Sequence, residues 1–291
     1  MTISSTVGFC GLGLMGGAMV TRLLQSGQDV VVWNRTPEKA QAFEQQGARV
    51  ATDPAAMARE CGLVILCLTH EDAVREVVFG PCGLSQGGAL RHVVDHSSIS
   101  PDATRQIAQR LRADTGAAWV DAPVSGGVVG AANGTLAVMA GGDPADIDHC
   151  AGPMRAYART VTTMGPTGAG QVAKLCNQTI VATTLCAIAE AVSLAQRSGI
   201  DAAALPTALA GGWADSVLLQ IFVPRMTSAP GAGIGALSTM LKDVDNVVRA
   251  AQSADVHAPV MLAVQERFRQ GQAQGLGEAD LSQIVRVGRP A

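Results

Sequence analysis

The hexapeptide Gly11-Leu12-Gly13-Leu14-Met15-Gly16 follows the apolar run VGFC (7–10) directly and opens the segment LMGGAMVTRLLQSG. In that segment Met15, Met19 and Leu23 recur at helical spacing, and Gly27 stands just past the last turn as a stop. A strand, a glycine turn and a helix in that order are the context in which G-x-G-x-x-G carries meaning. Gly11 permits a tight turn, Gly13 lets backbone approach a pyrophosphate, and Gly16 allows the helix to pack closely. The free N–H groups and positive dipole end of the helix favour a phosphate-bearing ligand. A glycine-rich turn without a ligand is the alternative that the hexapeptide alone leaves open.

The first 165 residues continue this rhythm of short apolar runs and helical stretches. The runs are DVVVW (29–33), LVILCL (63–68), HVVDHS (92–97) and AWVDAPV (118–124), which predict βαβ units. Aromatic residues make up only 3%, and the dominance of Ala, Gly, Leu and Val suits a buried parallel sheet better than an antiparallel sandwich. After the flexible GPTGAG (165–170) the texture changes. AKLCNQTIVATTLCAIAEAVSLAQRSG predicts one long, mostly buried helix ending at Gly199. A short helix in IDAAALPTALAGG, a loop at MTSAPGAGIGA (226–236) and helices around 238–254 and 258–271 follow. The expected class is α/β, a Rossmann-type doubly wound sheet (1–165) followed by an all-helical C-terminal domain (166–291) for substrate and oligomerisation. No repeat of fixed period appears.

A formal net charge of −3 and a pI near 5.9, with Lys and Arg scattered, offer no basic face to nucleic acid or anionic lipid. The start MTISSTV has no basic n-region or apolar h-region, and no apolar stretch is expected to approach the roughly 18 residues needed to span a bilayer. Seven cysteines (Cys10, Cys61, Cys67, Cys82, Cys150, Cys176, Cys186) show no C-x-x-C pairing and mostly sit in apolar runs, which predicts buried free thiols. The expectation is a cytoplasmic protein with neither nucleic-acid nor membrane partners. No metal-ligand spacing or nucleophile elbow is present, so metal and hydrolase chemistry are not indicated.

The second apolar run ends at Trp33, and Asn34, Arg35 and Thr36 stand where an NAD site usually carries an acidic residue for the ribose 2′-hydroxyl. Without a carboxylate to repel a 2′-phosphate, and with Arg35 able to bind one, the sequence favours NADP over NAD. An ordinary solvated arginine at a strand end also fits this position.

Hydride transfer to a carbonyl requires a proton donor near the developing alkoxide. Lys174 lies early in a mostly apolar helix, where desolvation lowers a lysine pKa toward a useful range, although a snorkelling surface lysine fits the same place. Asn177 and Gln178, at i+3 and i+4, both share its face, and either amide suits the orientation of a substrate hydroxyl. DAPVSGG leaves an apolar run and ends at Ser125, Gly126 and Gly127, a nest suited to a carboxylate or a plain tight turn. Asp95, His96, Ser97 and Ser98 close another run at the edge where open α/β sheets place ligands, with His96 read as a loop residue.

Four blocks in order, VGFCGLGLMGGAMVTRLL, DAPVSGGVVGAANGTLAVMAGG, GAGQVAKLCNQ and LKDV (241–244), resemble the β-hydroxyacid dehydrogenase family. That family includes 3-hydroxyisobutyrate dehydrogenase, tartronate semialdehyde reductase and glyoxylate/succinic semialdehyde reductases. The resemblance covers nearly the whole chain. It implies an NAD(P)-dependent oxidoreductase acting on a short 3-hydroxy acid or its semialdehyde, a small carboxylate-bearing substrate. Lys174 is then the acid/base, Ser125, Gly126 and Gly127 hold the substrate carboxylate, and Asn177 or Gln178 positions the substrate. Ser98 and Lys242 would lie at the nicotinamide end, with Leu68 and Thr69 lining the same cleft. A homodimer or homotetramer is the implied assembly.

Two departures stand out. Many members carry two asparagines where this chain has Asn177 and Gln178, and GGWADS (211–216) is not the usual sequence of the better-known branches. Trp213 and Asp215 are therefore candidate substrate-binding residues, with a packed tryptophan and a helix-capping aspartate as the alternative. An imine reductase, which shares the fold and generally lacks the lysine, and a non-catalytic NADP-binding module are the rival readings. Lys174 argues against both.

Overall fold

The computed structural model describes residues 6–228 and 233–288. The expectations for the N-terminal segment before Thr6 and for part of the 226–236 loop, at 229–232, lie outside the described residues, as does 289–291 at the end of the predicted helical domain. The order of elements begins β1 (Thr6–Cys10), α1 (Leu14–Gln25), β2 (Asp29–Trp33), α2 (Pro37–Glu44), β3 (Arg49–Val50), α3 (Pro54–Glu60), β4 (Leu63–Leu66) and α4 (Glu71–Phe79). It continues β5 (His92–Asp95), α5 (Pro101–Thr115), β6 (Ala118–Asp121), β7 (Val124–Ser125), α6 (Gly127–Asn133), β8 (Leu136–Gly141), α7 (Pro144–Met154) and β9 (Ala158–Gly165). The helical part holds α8 (Ala169–Arg197), α9 (Leu205–Leu209), α10 (Val217–Thr227), α11 (Leu237–Ser253) and α12 (Pro259–Ala273). The chain packs as two compact units that divide between Lys174 and Leu175. This lies within α8, because the first residues of that helix bond back to the strands.

In the first unit the strands run β3-β2-β1-β4-β5-β6-β8-β7, with β9 paired to β8. The pairs from β3 to β6 are all parallel, as the βαβ rhythm predicts. Their sequences are apolar at successive positions because both faces are covered. Val30, Val32, Ile65 and Val94 face one core with Met19 and Leu23 of α1, while Val31, Val64, Leu66 and Val93 face the other with Ile107 and Leu111 of α5.

Beyond β6 the parallel βαβ rhythm ends. AWVDAPV divides into β6 and β7, and β8 runs antiparallel to both, with β9 parallel to β8. The runs LVILCL and HVVDHS also stop two residues early, at Leu66 and Asp95, where the chain turns into loops at the sheet edge.

The second unit is helical among its described residues. Ala182, Leu185, Ile188, Ala189 and Val192 of α8 meet Phe222 and Val223 of α10, Val244 and Val248 of α11, and Val264 and Phe268 of α12. Contrary to expectation, α8 is long and apolar enough, by length and composition, to cross a membrane. The helix is partly covered rather than mostly buried as expected: Ala182, Leu185, Ala189 and Val192 line the core, while Val172, Ile180 and Leu194 are exposed. The seven cysteines are all free thiols, but Cys82 and Cys176 are exposed rather than buried.

Candidate active site

Strand register aligns the functional segments of the first unit. Trp33, Cys10, Leu66, Asp95, Asp121 and Gly141 are successive partners across the sheet. The loops that leave this row carry the glycine hexapeptide, Asn34–Thr36, Leu68–Thr69, Ser97–Ser98 and the Ser125 turn. At about 4.8 Å per strand, the row from β1 to β6 spans about 14 Å.

The glycine turn is closed as its sequence requires. Gly11 takes φ +102°, and a Cβ there would meet the Cys67 carbonyl oxygen at 2.3 Å. At Gly16 a Cβ would lie 1.9 Å from the Gly11 carbonyl oxygen, so only glycine lets α1 start this close to β1. A Cβ at Gly13 would meet nothing within 4 Å, and Gly13 caps α1 without a side-chain hydrogen bond. An open approach to unshared helix N–H groups fits a dinucleotide pyrophosphate. Asn34 braces the turn: its Oδ1 accepts from Leu12 N at 2.9 Å, and its Nδ2 donates to the Thr36 carbonyl at 3.0 Å. Arg35 and Thr36 are exposed beyond it, with Leu14 exposed and Met15 half-buried at the head of α1.

The ends of β4 and β5 are tied by Leu68 N donating to Ser97 Oγ at 2.9 Å, which fixes the backbone beside Thr69 and Ser98. His96 follows the end of β5 in the loop, as expected, but it is turned inward behind this edge. It is buried, with Nδ1 against the Ala122 carbonyl and Nε2 2.8 Å from the Tyr157 hydroxyl. A carbonyl only accepts, so Nδ1 carries the hydrogen and Nε2 accepts from Tyr157. Burial holds this imidazole down to about 4 and therefore neutral. Asp95 and Asp121 are neighbouring buried carboxyls, pushed up by burial to about 7 and about 6 respectively. Hydrogen bonds from Ser97 oppose the shift at Asp95, and those from the N–H groups of Gly168 and Gln171 oppose it at Asp121.

Lys174, half-buried on α8, donates from Nζ to the Val124 carbonyl oxygen at 2.9 Å. That bond brings its ammonium to the strand whose next residues are Ser125, Gly126 and Gly127. Gly126 (φ +128°) and Gly127 (φ +64°) both occupy the left-handed region, where glycine is favoured, and they open α6, whose first N–H groups have no helical acceptor.

The remaining candidates belong to the second unit. Gln178 is buried and donates from Nε2 to Asp243 Oδ2 at 2.6 Å, while its Oε1 accepts from Asn177 Nδ2 at 2.8 Å. Lys242 Nζ stands 3.3 Å from Asp243 Oδ1, so Asp243 joins Lys242 to this amide pair. Asp215 closes the loop before α10, accepting from Gly211 N at 2.8 Å and Gln220 Nε2 at 2.7 Å. The cap of α10 is Ser216 rather than Asp215, and Trp213 is exposed rather than packed.

Asp121, Gln171 and Asp243 were not singled out from the sequence. A buried aspartate almost always has a partner, so Asp121 at the end of a fully buried strand carried a readable signal. Its partners, 47 and 50 residues away, did not.

Residues 6–165 match the family model for the NAD binding domain of 6-phosphogluconate dehydrogenase, and 168–288 match that for the NAD-binding of NADP-dependent 3-hydroxyisobutyrate dehydrogenase. The 2-hydroxy-3-oxopropionate reductase of Escherichia coli K12 is 33% identical over 97% of this chain and 96% of its own. Among solved structures, the 3-hydroxyisobutyrate dehydrogenase of Mycobacterium tuberculosis, with L-serine, is 28% identical with a TM-score of 0.83, covering 98% of this chain and 99% of its own. Psf3, in complex with NADP+ and 2-OPP, is 28% identical with a TM-score of 0.88, covering 96% and 99%. The chain belongs to the β-hydroxyacid dehydrogenase family and is an NAD(P)-dependent oxidoreductase.

Proposed function

We propose that the protein moves a hydride between NADP(H) and the β-carbon of a short 3-hydroxy acid or the matching semialdehyde, with Lys174 as the acid/base. The observation that carries this reading is the 2.9 Å bond from Lys174 Nζ to the Val124 carbonyl, which brings the amine to the strand that opens the Ser125–Gly127 turn. A substrate whose carboxylate sits in that turn and whose carbonyl meets Lys174 must be short. The nicotinamide, when bound, supplies the hydride. In reduction Lys174 gives its proton to the carbonyl oxygen as the hydride reaches the carbon, and in oxidation it takes that proton back. The N–H groups of Gly126 and Gly127 at the start of α6, with the Ser125 hydroxyl, hold the carboxylate and fix which face of the carbonyl is presented.

Gln178, held on two sides and buried, acts as the brace for Asn177, and Asn177 orients the substrate. Exposed Arg35, with no carboxylate at 34–36, supports a preference for NADP over NAD. Ile180 and Leu194, large apolar side chains exposed on α8, support a homo-oligomer. Lys174→Ala tests the reading. Turnover should fall at least about a thousandfold, within the range of one acid/base group, with NADPH affinity unchanged, and wild-type turnover in that variant would remove the role given to Lys174.

A further inference from the structure

We propose that Asp121 is a positioning residue for the proton transfer, clamping the first turn of α8 to the end of β6 so that Lys174 is held at a fixed place beside the Ser125–Gly127 turn. The inference rests on the reading of Lys174 as the acid/base.

The Asp121 side chain is buried and bidentate. Its Oδ1 accepts from Gly168 N at 2.7 Å and its Oδ2 from Gln171 N at 3.0 Å. Those N–H groups belong to the start of α8, where no helical carbonyl is available to them. Three residues further along each segment, Lys174 Nζ bonds the Val124 carbonyl at 2.9 Å. The tetrapeptide Asp121–Val124 and the helical turn Gln171–Lys174 are thus joined at both ends. Gln171 adds a third tie, from its Nε2 to the Ser97 carbonyl at 2.8 Å.

The glycines around this clamp permit it. A Cβ at Gly170 would lie 2.4 Å from the Met139 carbonyl and 2.5 Å from that of Asp121. At Gly141 a Cβ would lie 2.7 Å from Asp121 Oδ1. A glycine inside a helix loses stability relative to alanine. Gly170 is retained where it allows α8 to press onto the sheet edge and Asp121 to reach the helix N–H groups.

An asparagine at 121 offers one accepting oxygen and one amino group. An N–H group at the start of α8 that now meets a carboxylate oxygen would then face a donor, and the clamp would hold through the one remaining oxygen. The first turn of α8 is then free to shift by a fraction of its 1.5 Å rise per residue. A misplacement of about 1 Å in a reacting group costs on the order of a hundredfold in rate.

The test compares the full-length wild-type, Asp121→Asn and Lys174→Ala proteins in NADPH-dependent turnover, with NADPH affinity and melting temperature measured on each. Asp121→Asn should lose about a hundredfold in kcat with NADPH affinity unchanged, and its solvent deuterium isotope effect on kcat should rise as proton transfer slows. A role in stability alone would lower the melting temperature and leave the isotope effect unmoved. Asp121→Ser, which also accepts at one point only, is the second variant should Asp121→Asn not fold. Wild-type kcat and isotope effect in a folded Asp121 variant, beside an inactive Lys174→Ala, overturn the proposal alone. Loss of NADPH affinity in step with kcat overturns it equally, whereas full activity of Lys174→Ala removes the reading on which it rests.

Discussion

His96 makes the first unit sensitive to acid by an amount that can be worked out. Its Nδ1–H donates to the Ala122 carbonyl and its Nε2 accepts from Tyr157, an arrangement that only the neutral ring satisfies. Burial lowers its pKa from 6.5 to about 4. As the pH falls below 6.5 the unfolded chain takes up a proton that the folded one refuses, so stability is lost until the pH passes about 4. At about pH 5 the loss, relative to about pH 8, comes to about 2 kcal/mol. Asp95 and Asp121 act in the opposite sense. Their raised pKa values, about 7 and about 6 against 3.8, mean that stability is lost as the pH rises through that window. The wild-type profile therefore mixes these opposing contributions with those of His92 and Asp29, whose pKa values are lowered. His96→Gln separates one of them, because a glutamine amide has an amino group to donate and an oxygen to accept, and does not titrate. Hydrogen exchange of the β5 and β6 amides, followed against denaturant, reports the stability of this unit alone. The advantage of wild type over His96→Gln should shrink by about 2 kcal/mol between about pH 8 and about pH 5. A difference that is the same at both values would refute the assignment of His96 as a buried neutral group.

Two substitutions at the cofactor loops should behave differently. If Arg35 binds the 2′-phosphate as proposed, Arg35→Ala removes a charge-assisted contact worth about 1.5–3 kcal/mol, so calorimetry should find NADPH binding weakened about 10- to 100-fold with NADH binding unchanged; equal weakening of both would deny Arg35 the 2′-phosphate. Gly16→Ala places a methyl 1.9 Å from the Gly11 carbonyl, and Gly11 is itself blocked on its far side by the Cys67 carbonyl. The turn must open, and NADPH and NADH should both bind at least about tenfold more weakly; unchanged affinity for either would contradict the packing role of Gly16.

What the sequence made legible was what backbone chemistry dictates locally. Gly11 and Gly16 have no substitutes at their positions, and the two-sided burial of β1, β2, β4 and β5 leaves nearly continuous apolar runs. The antiparallel end of the sheet was less legible. LAVMAG of β8 is a continuous apolar run, but a run carries no direction and no partner, and ARTVTTMG of β9 is mostly exposed and shows no buried run. The helix α10 was missed because it carries Pro224 and follows a glycine-rich turn. Lys174 could be suspected from its place in an apolar helix, but its bond to Val124 joins residues 50 positions apart. The same distance in sequence concealed the grip of Asp121 on α8 and that of Asp243 on Gln178. His96 reads as a loop residue because it follows the end of a strand, and it is one, but only the fold brings Ala122 and Tyr157 to its two nitrogens.

The most direct test of the account is NADPH oxidation by the purified protein against glyoxylate and the semialdehydes of tartronate, methylmalonate and succinate, with a cyclic imine as control. At least one carboxylate-bearing carbonyl compound should turn over, faster with NADPH than with NADH, and the imine should not. Turnover of the imine alone would contradict the account.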